Sequence, residues 1–408
     1  LTLLPELSGA NGGRLDRPAK EALMSGTHRR IPFVGVAALL VTAPLVAGAG
    51  TASAATSGFV PSVFVQTNSG DGNSVRAFAR AEDGSLTSEG TFATGGLGSA
   101  TLNNPTDPLA SQGSLVADRA HGELLALNAG SDTLTRFSVH GTSLQREQII
   151  SPGGQFPVSV TVSGQNVYVL NAGGDGSVSA FRRTGSGLHA IPGSVRPLGL
   201  DGSTPPDFLA SPAQIGTTPD GDRLVVSTKT HGTVDVFAIA ANGKPSAAPR
   251  VTTTGPVPFP FVFDPAGRIV LGDASGVLST WSFAEDGSLV PVAHAPSNGQ
   301  VALCWLAEVG GHLYTTNTGS GTVTGYEEAA DGTLTLLDAD GVTATTDAGP
   351  IDLAGTVDGR FLYELNGKAG TAGIYTVAPT GGLTRTATVT GLPVNTAGAP
   401  GMQGIVVT

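Results

Sequence analysis

The chain has 408 residues, with 21 Lys and Arg against 32 Asp and Glu, a formal net charge of −11 and 59 glycines. That deficit of basic residues excludes a nucleic-acid footprint, which needs a positive face. It also gives no help to anionic substrates such as sugar phosphates. Hydrophobic residues make up 40% of the chain, enough for a packed core, and a single cysteine rules out an intrachain disulfide.

The first elements in chain order are not part of a fold. His28-Arg29-Arg30 is a basic n-region, 31–50 is an apolar run, and Ala52-Ser53-Ala54 has the A-x-A pattern of a cleavage site. Together they predict a secretory signal peptide over 24–54. The competing reading is a membrane anchor; Pro32, Pro44 and the small-residue end favour cleavage, leaving no stable membrane span. Residues 1–23 precede Met24 and read as an over-extended start or a pro-segment. The remaining 55–408 is expected to be a single secreted, extracellular domain with a net charge of −13, since 1–54 holds five of the basic and three of the acidic residues.

From Val63 onward one phrase recurs: a β-branched strand, a glycine-rich turn, a second strand and an Asp-Gly or Asn-Gly turn. Both residues of such a turn tolerate positive φ, which makes it a strong hairpin signal. Copies start at Val63, Leu125, Val167, Leu224, Ile269, His312 and Leu362. Aligned on the end of the first strand, the anchors are Asn68, Asn128, Asn171, Thr228, Asp273, Asn317 and Asn366, spaced 43 to 60 residues apart. No 3.6-residue periodicity appears within the repeat, which speaks against a helical solenoid. An all-strand repeat of this length predicts a β-propeller of four-stranded blades.

Apolar runs at 157–165, 212–223, 260–268, 302–311 and 350–360 precede their copies and read as innermost strands. The first copy has no such run, whereas the chain ends on an orphan strand, 401–408. That strand is expected to complete the first blade and close a ring of seven, leaving no open edge. The fold class is therefore all-β, a seven-bladed propeller. Two connections are unusually long, 89–113 and 194–213; loops of that length are uncommon unless they bind, cover or cap something, and the equal alternative for 201–212 is a rigid surface flap.

The phrases Tyr168-Val169-Leu170-Asn171, Tyr314-Thr315-Thr316-Asn317 and Tyr363-Glu364-Leu365-Asn366 resemble YVTN-type propeller repeats. With the turns at 83–84, 242–243, 286–287 and 331–332, the run of blades resembles the secreted branch of the lactonase family. The resemblance implies hydrolysis of 6-phosphogluconolactone or, in a sister group, cyclisation of carboxymuconate. It implies a Gly-Pro-Arg-His phrase opening an innermost strand and a Glu closing the next strand. The nearest match here is "GPVPFPFVFDP" at 255–265, which has neither Arg nor His, and Asp273 stands where the Glu would fall. No catalytic residue is carried over.

Candidates therefore come from propeller geometry. Turns between second and third strands share the channel-mouth face with the connections between blades, and sites gather there. Lys229, His231, Asp273 and Lys368 fall on such turns. Arg196, Asp201, Asp207, His294 and Asp347 fall on the connections. His231 and His294 could pair on a metal, but no carboxylate-rich spacing accompanies them, so no metal or other cofactor is expected. Along the channel wall Ser159, Gln214, Val262 and Asp352 share a register, with Gln403 close by. Asp352 is the one carboxylate at that level. It reads as a general base, or as a carboxylate that binds backbone amides of a neighbouring blade. Cys304, on an innermost strand, reads as a buried, inert thiol.

Two functions remain. One is a lactonase-like hydrolase or cyclase acting on a small-molecule lactone at the channel mouth. The other is a non-catalytic extracellular propeller, a monomer, that binds a carbohydrate, a peptide or an envelope ligand through its loop face. Five tyrosines and two tryptophans in the whole chain offer no obvious aromatic platform for sugars.

Overall fold

The structure, a computed structural model, describes residues 60–200 and 202–408. The leader and pro-segment expected over 1–54, and Asp201, lie outside the described residues. The described chain forms seven antiparallel sheets, each with four strands in radial order. The innermost strands are Leu115–Asp118, Pro157–Ser163, Gln214–Thr217, Pro258–Phe263, Leu303–Val309 and Pro350–Gly355 for blades 2 to 7. Blade 1 takes its innermost strand, Ile405–Val407, from the far end of the chain. Val63, Phe64 and Val65 pair with Val407, Val406 and Ile405, so the ring closes as the orphan strand predicts. Bonds from Gln66 N to Gly404 O and from Thr408 N to Ser62 O, at 3.0 and 2.8 Å, extend the seam at both ends.

Burial follows from how blades stack. A second strand such as Glu123–Asn128 is buried at every position because both of its faces meet neighbouring blades. Fourth strands lie on the outside; Leu86–Ala93 alternates between part-buried and exposed positions. The largest apolar cluster joins blades 6, 7 and 1 through Trp305, Tyr314, Tyr363, Tyr375 and Val63, so the packing runs across the closure seam. Each large side chain fully buried there contributes about 1.5–3 kcal/mol.

The repeated residues have identifiable work. Asn128 Nδ2 donates to the Thr135 hydroxyl at 2.9 Å, and Asn317 Nδ2 to that of Thr324 at 2.8 Å, tying each second strand to its third. The repeat tyrosines link blades. Tyr168 donates to Gly243 O at 3.1 Å, Tyr314 to Gly381 O at 2.8 Å and Tyr363 to Gly84 O at 2.8 Å. Those glycines sit in hairpin turns of the next blade at φ near +80°, where other residues are strained. The tyrosine phrase and the turn glycine thus form one inter-blade joint.

Two boundaries differ from the sequence reading. Glu89 to Ala93 belongs to the outer strand of blade 1, and Arg196–Pro197 forms a short fifth strand on blade 3. In blade 5 it is Pro258 that pairs with Asp273, as Pro157 pairs with Asn171 and Pro350 with Asn366. Val262 therefore lies two residues beyond the position of Ser159 and Asp352. The run of alternating prolines in "GPVPFPF" had offered a false register.

Candidate functional site

The central channel is closed from within. After blade 1 the first long connection does not simply overhang the mouth; its end, Ala110 to Gln112, descends along the channel axis. Gln112 reaches across to blade 6, where its Nε2 donates to Leu306 O at 2.8 Å and its Oε1 accepts from Leu306 N at 3.2 Å. Ser111 O accepts from Trp305 Nε1 of blade 6 at 3.2 Å and from Gln403 Nε2 of blade 1 at 2.8 Å. The Ser111 hydroxyl donates to Val158 O of blade 3 at 2.9 Å, and Gln112 N to Ala213 O of blade 4 at 3.1 Å. Four blades hold this plug, and its buried polar groups are paired as burial requires.

Over the plug the two long connections meet. Leu102 pairs with Asp207 as a parallel bridge, with bonds from Leu102 N to Pro206 O and from Phe208 N to Leu102 O, both 2.9 Å. Asn103 Nδ2 donates to Asp207 Oδ2 at 2.8 Å. Beneath this roof lies a cavity of about 210 Å³ facing blades 4 to 7. Its wall is largely apolar, with Phe208, Leu209, Val257, Phe259, Ala302 and Trp305, and its titratable groups are Asp107, Lys229, Cys304 and Lys368.

Lys229 is fully buried and rooted in the turn after the second strand of blade 4. Its Nζ donates to Ala110 O at 2.8 Å, Phe208 O at 2.6 Å and Ser211 Oγ at 2.7 Å, so it fastens plug to roof. The rings of Phe208 and Phe259 flank the ammonium at 5.4 and 5.6 Å. Ser211 can instead donate to a neutral amine while both carbonyls still accept, so the cradle suits either protonation state. Asp107, between two prolines on the first connection, accepts from Leu109 N at 3.2 Å through Oδ1. Its Oδ2 is buried and makes no hydrogen bond of ordinary distance and angle, although the backbone amides of Ala110 and Ser111 lie close enough to favour the charged carboxyl. Burial raises the Asp107 carboxyl above its usual range, opposed by Lys229 and by the backbone amides of Ala110, Leu109 and Ser111, and burial lowers Lys229, opposed chiefly by Asp107. Three non-glycine residues with left-handed backbone mark the same place: Ala110, Lys229 and Ala302, at φ 54°, 51° and 60°. Strain of this kind persists where the surroundings over-determine it, often at functional sites.

Of the residues singled out in the sequence, the cavity brings together Lys229, Cys304 and Lys368, the last exposed at the rim. Asp273 stands behind the wall, where its Oδ2 accepts from Val257 N at 2.8 Å and holds that residue in place. Asp352 lies lower, on the channel wall. Its carboxylate accepts from Leu353 N at 2.9 Å and from Ile405 N of the closure strand at 3.2 Å, and burial pushes it well above the usual range. Ser159 donates to Gln112 O at 2.6 Å and accepts from Ile215 N at 3.1 Å. Gln214 clasps both main-chain groups of Phe261, at 2.9 and 2.8 Å. These three join blades and plug.

The others lie apart from the cavity. Arg196 donates to carbonyls of Pro245 and Ser246, among others, and Asp347 pairs with Arg385. His231 is exposed on its turn, and His294 meets the edge of Trp281 at 5.9 Å on an outer strand. No group of three or more metal-ligating side chains occurs among the described residues. Cys304, in the cavity wall rather than apart from it, is buried, and burial raises its thiol to about 12. Asp107 was missed, although it lies in a connection whose length had marked it.

A closed ring of seven blades with a roofed cavity at its mouth defines the class. The family model for lactonase, 7-bladed beta-propeller, matches residues 193–274, the stretch that carries Phe208, Lys229 and Phe259. No curated protein sequence matches the chain. Among solved structures, the Pseudomonas aeruginosa periplasmic gluconolactonase PpgL is 17% identical with a TM-score of 0.62, over 85% of this chain and 99% of its own. A protein from Lactobacillus plantarum is 18% identical with a TM-score of 0.59, over 84% and 99%. At such identities these two show the fold. The chain is a seven-bladed β-propeller, and its residues 193–274 are similar to the lactonase family.

Proposed function

We propose that this propeller binds a small lactone in the roofed cavity above the plug and opens it by hydrolysis, with Asp107 as general base. The observation that carries this reading is the buried, unpartnered Oδ2 of Asp107 in a cavity that also contains the buried Lys229. Burial raises that carboxyl, and a carboxylate of raised basicity is a better proton acceptor from water. Water oxygen attacks the lactone carbonyl carbon while Oδ2 takes a water proton. The ring C–O bond then breaks, and the departing ring oxygen receives that proton from Asp107. One water is consumed, and the hydroxy acid formed ionises to release one proton. Lys229 keeps its N–H groups on Ala110, Phe208 and Ser211, so it acts through its field on the developing oxyanion rather than by direct donation.

The test is pH-stat titration of lactone opening by the full chain beside Asp107→Asn and Asp352→Asn. Turnover should vanish in the first variant and survive in the second. The reverse pattern would move the chemistry to the channel wall. A second reading, a binding propeller without turnover, draws on the exposed apolar side chains of Leu102, Leu209, Val301 and Val394 on the connections between blades. Saturable binding without proton release would favour it. Export through the leader at 24–54 belongs to the same proposal and is tested by N-terminal sequencing of protein recovered outside the cell.

A further inference from the structure

The geometry points to a lactone of low polarity as the ligand, a ring of six members or fewer carrying alkyl rather than hydroxyl substituents. This inference rests on the cavity being the site, as proposed above, and adds the substrate class. The volume, about 210 Å³, is below that of pockets for drug-sized ligands and suits a single ring with a short side chain.

The polar inventory of the wall excludes a polyol. Lys229 uses its donors on Ala110, Phe208 and Ser211. Trp305 Nε1 is taken by Ser111 O, and the Thr318 hydroxyl donates to Pro350 O at 2.7 Å. That leaves Asp107 Oδ2 and the Thr106 hydroxyl as the side-chain polar groups of the buried lining open to a ligand, too few for the several hydroxyls of a polyol. A sugar lactone presents a hydroxyl on most ring carbons, and each hydroxyl buried without a partner lowers affinity on the order of tenfold. A ring bearing alkyl groups instead meets Phe208, Leu209, Val257 and Phe259, and asks for polar contact at its ester alone. Leu209, 46% exposed, lies at the edge where a side chain of the ring would leave the cavity. Lys368 is the exposed cation of the lining and stands at the rim, so a phosphate tail would find no buried counter-charge beyond the already engaged Lys229.

The experiment compares δ-hexalactone with glucono-δ-lactone, which share a six-membered ring and differ in hydroxyl content, using the full chain and spontaneous hydrolysis as baseline. The expected kcat/KM is at least about a hundredfold higher for δ-hexalactone. Leu209→Asn, a change at a half-exposed position that the fold should tolerate, should raise its KM several-fold. Equal or faster opening of glucono-δ-lactone, still abolished by Asp107→Asn, overturns the substrate class and leaves the assignment of the site standing. A saturable rise in melting temperature with δ-hexalactone but not glucono-δ-lactone, without turnover, supports the class and overturns the hydrolysis. Neither turnover nor a thermal shift with either compound overturns both.

Discussion

At the scale of single residues, this propeller separates buried carboxyls whose oxygens are paired from two, Asp107 and Glu364, that each keep one oxygen unpaired. Asp352 has two backbone amides, and Asp273 holds Val257 and Ser275. Glu364 is another buried group, on the second strand of blade 7. Its Oε2 accepts from Asn366 at 2.9 Å, its Oε1 has no partner, and burial raises it from 4.5 to about 8. A raised carboxyl binds its proton more tightly folded than unfolded. Its favourable contribution is therefore present below pH 4.5 and is lost as pH climbs toward 8. Glu364→Gln should raise the melting temperature by several degrees at pH 8 and change it little at pH 4. Thermal melts of the two proteins across that range check the sign.

Residue roles were only half legible in the sequence. Lys229 and Lys368 were found because each follows a repeat strand on a turn that the propeller topology assigns to the mouth. The wall residues Ser159 and Gln214 were placed at the correct level, but their polar groups face neighbouring backbone, which spacing cannot reveal. Asp107 carries no motif. Its burial depends on a connection folding back into the channel, and that contact lies outside any repeat.

At the scale of elements, the plug is what turns an open channel into a floor for the cavity. Repeat periodicity predicted the blades because each strand pair is built by local hydrogen bonds and turn chemistry. The plug is held instead by contacts such as Gln112 with Leu306, 194 residues apart in sequence. Gln112→Ala removes both of its bonds and leaves the main-chain groups of Leu306 without their buried partner, a cost of about 1–3 kcal/mol. Chemical denaturation should show that loss, with an unchanged dependence on denaturant concentration if the ring itself stays intact. A smaller effect, about 1 kcal/mol, is expected for Tyr363→Phe, which deletes one bond to the Gly84 turn.

For the whole molecule, closure decides whether seven blades behave as one cooperative body. The final strand supplies the inner edge of blade 1, and Asp352 grips its first amide from blade 7. A chain ending at residue 400 would expose the inner edge of Ser62–Gln66 and lose Met402 and Ile405 from the largest apolar cluster. Such a chain should lose its single sharp melting transition and associate through the open edge, as calorimetry and light scattering would record. Closure was legible from an orphan strand at one end and a missing one at the other. The open carboxyl proposed as the base was not, since the Arg and His phrase that the lactonase resemblance implies is absent and Asp107 lies outside any repeat.

The most direct measurement is the pH–rate profile of δ-hexalactone opening by the full chain and by Asp107→Asn. If Asp107 is the base, the wild-type rate rises with pH through a limb above the usual carboxylate range, as its deprotonated form accumulates, and falls again where the burial-lowered Lys229 loses the charge that acts on the oxyanion. The variant should then run at least about a hundredfold slower with no such limb. A variant that keeps both rate and limb would contradict the account and remove the chemistry from this cavity.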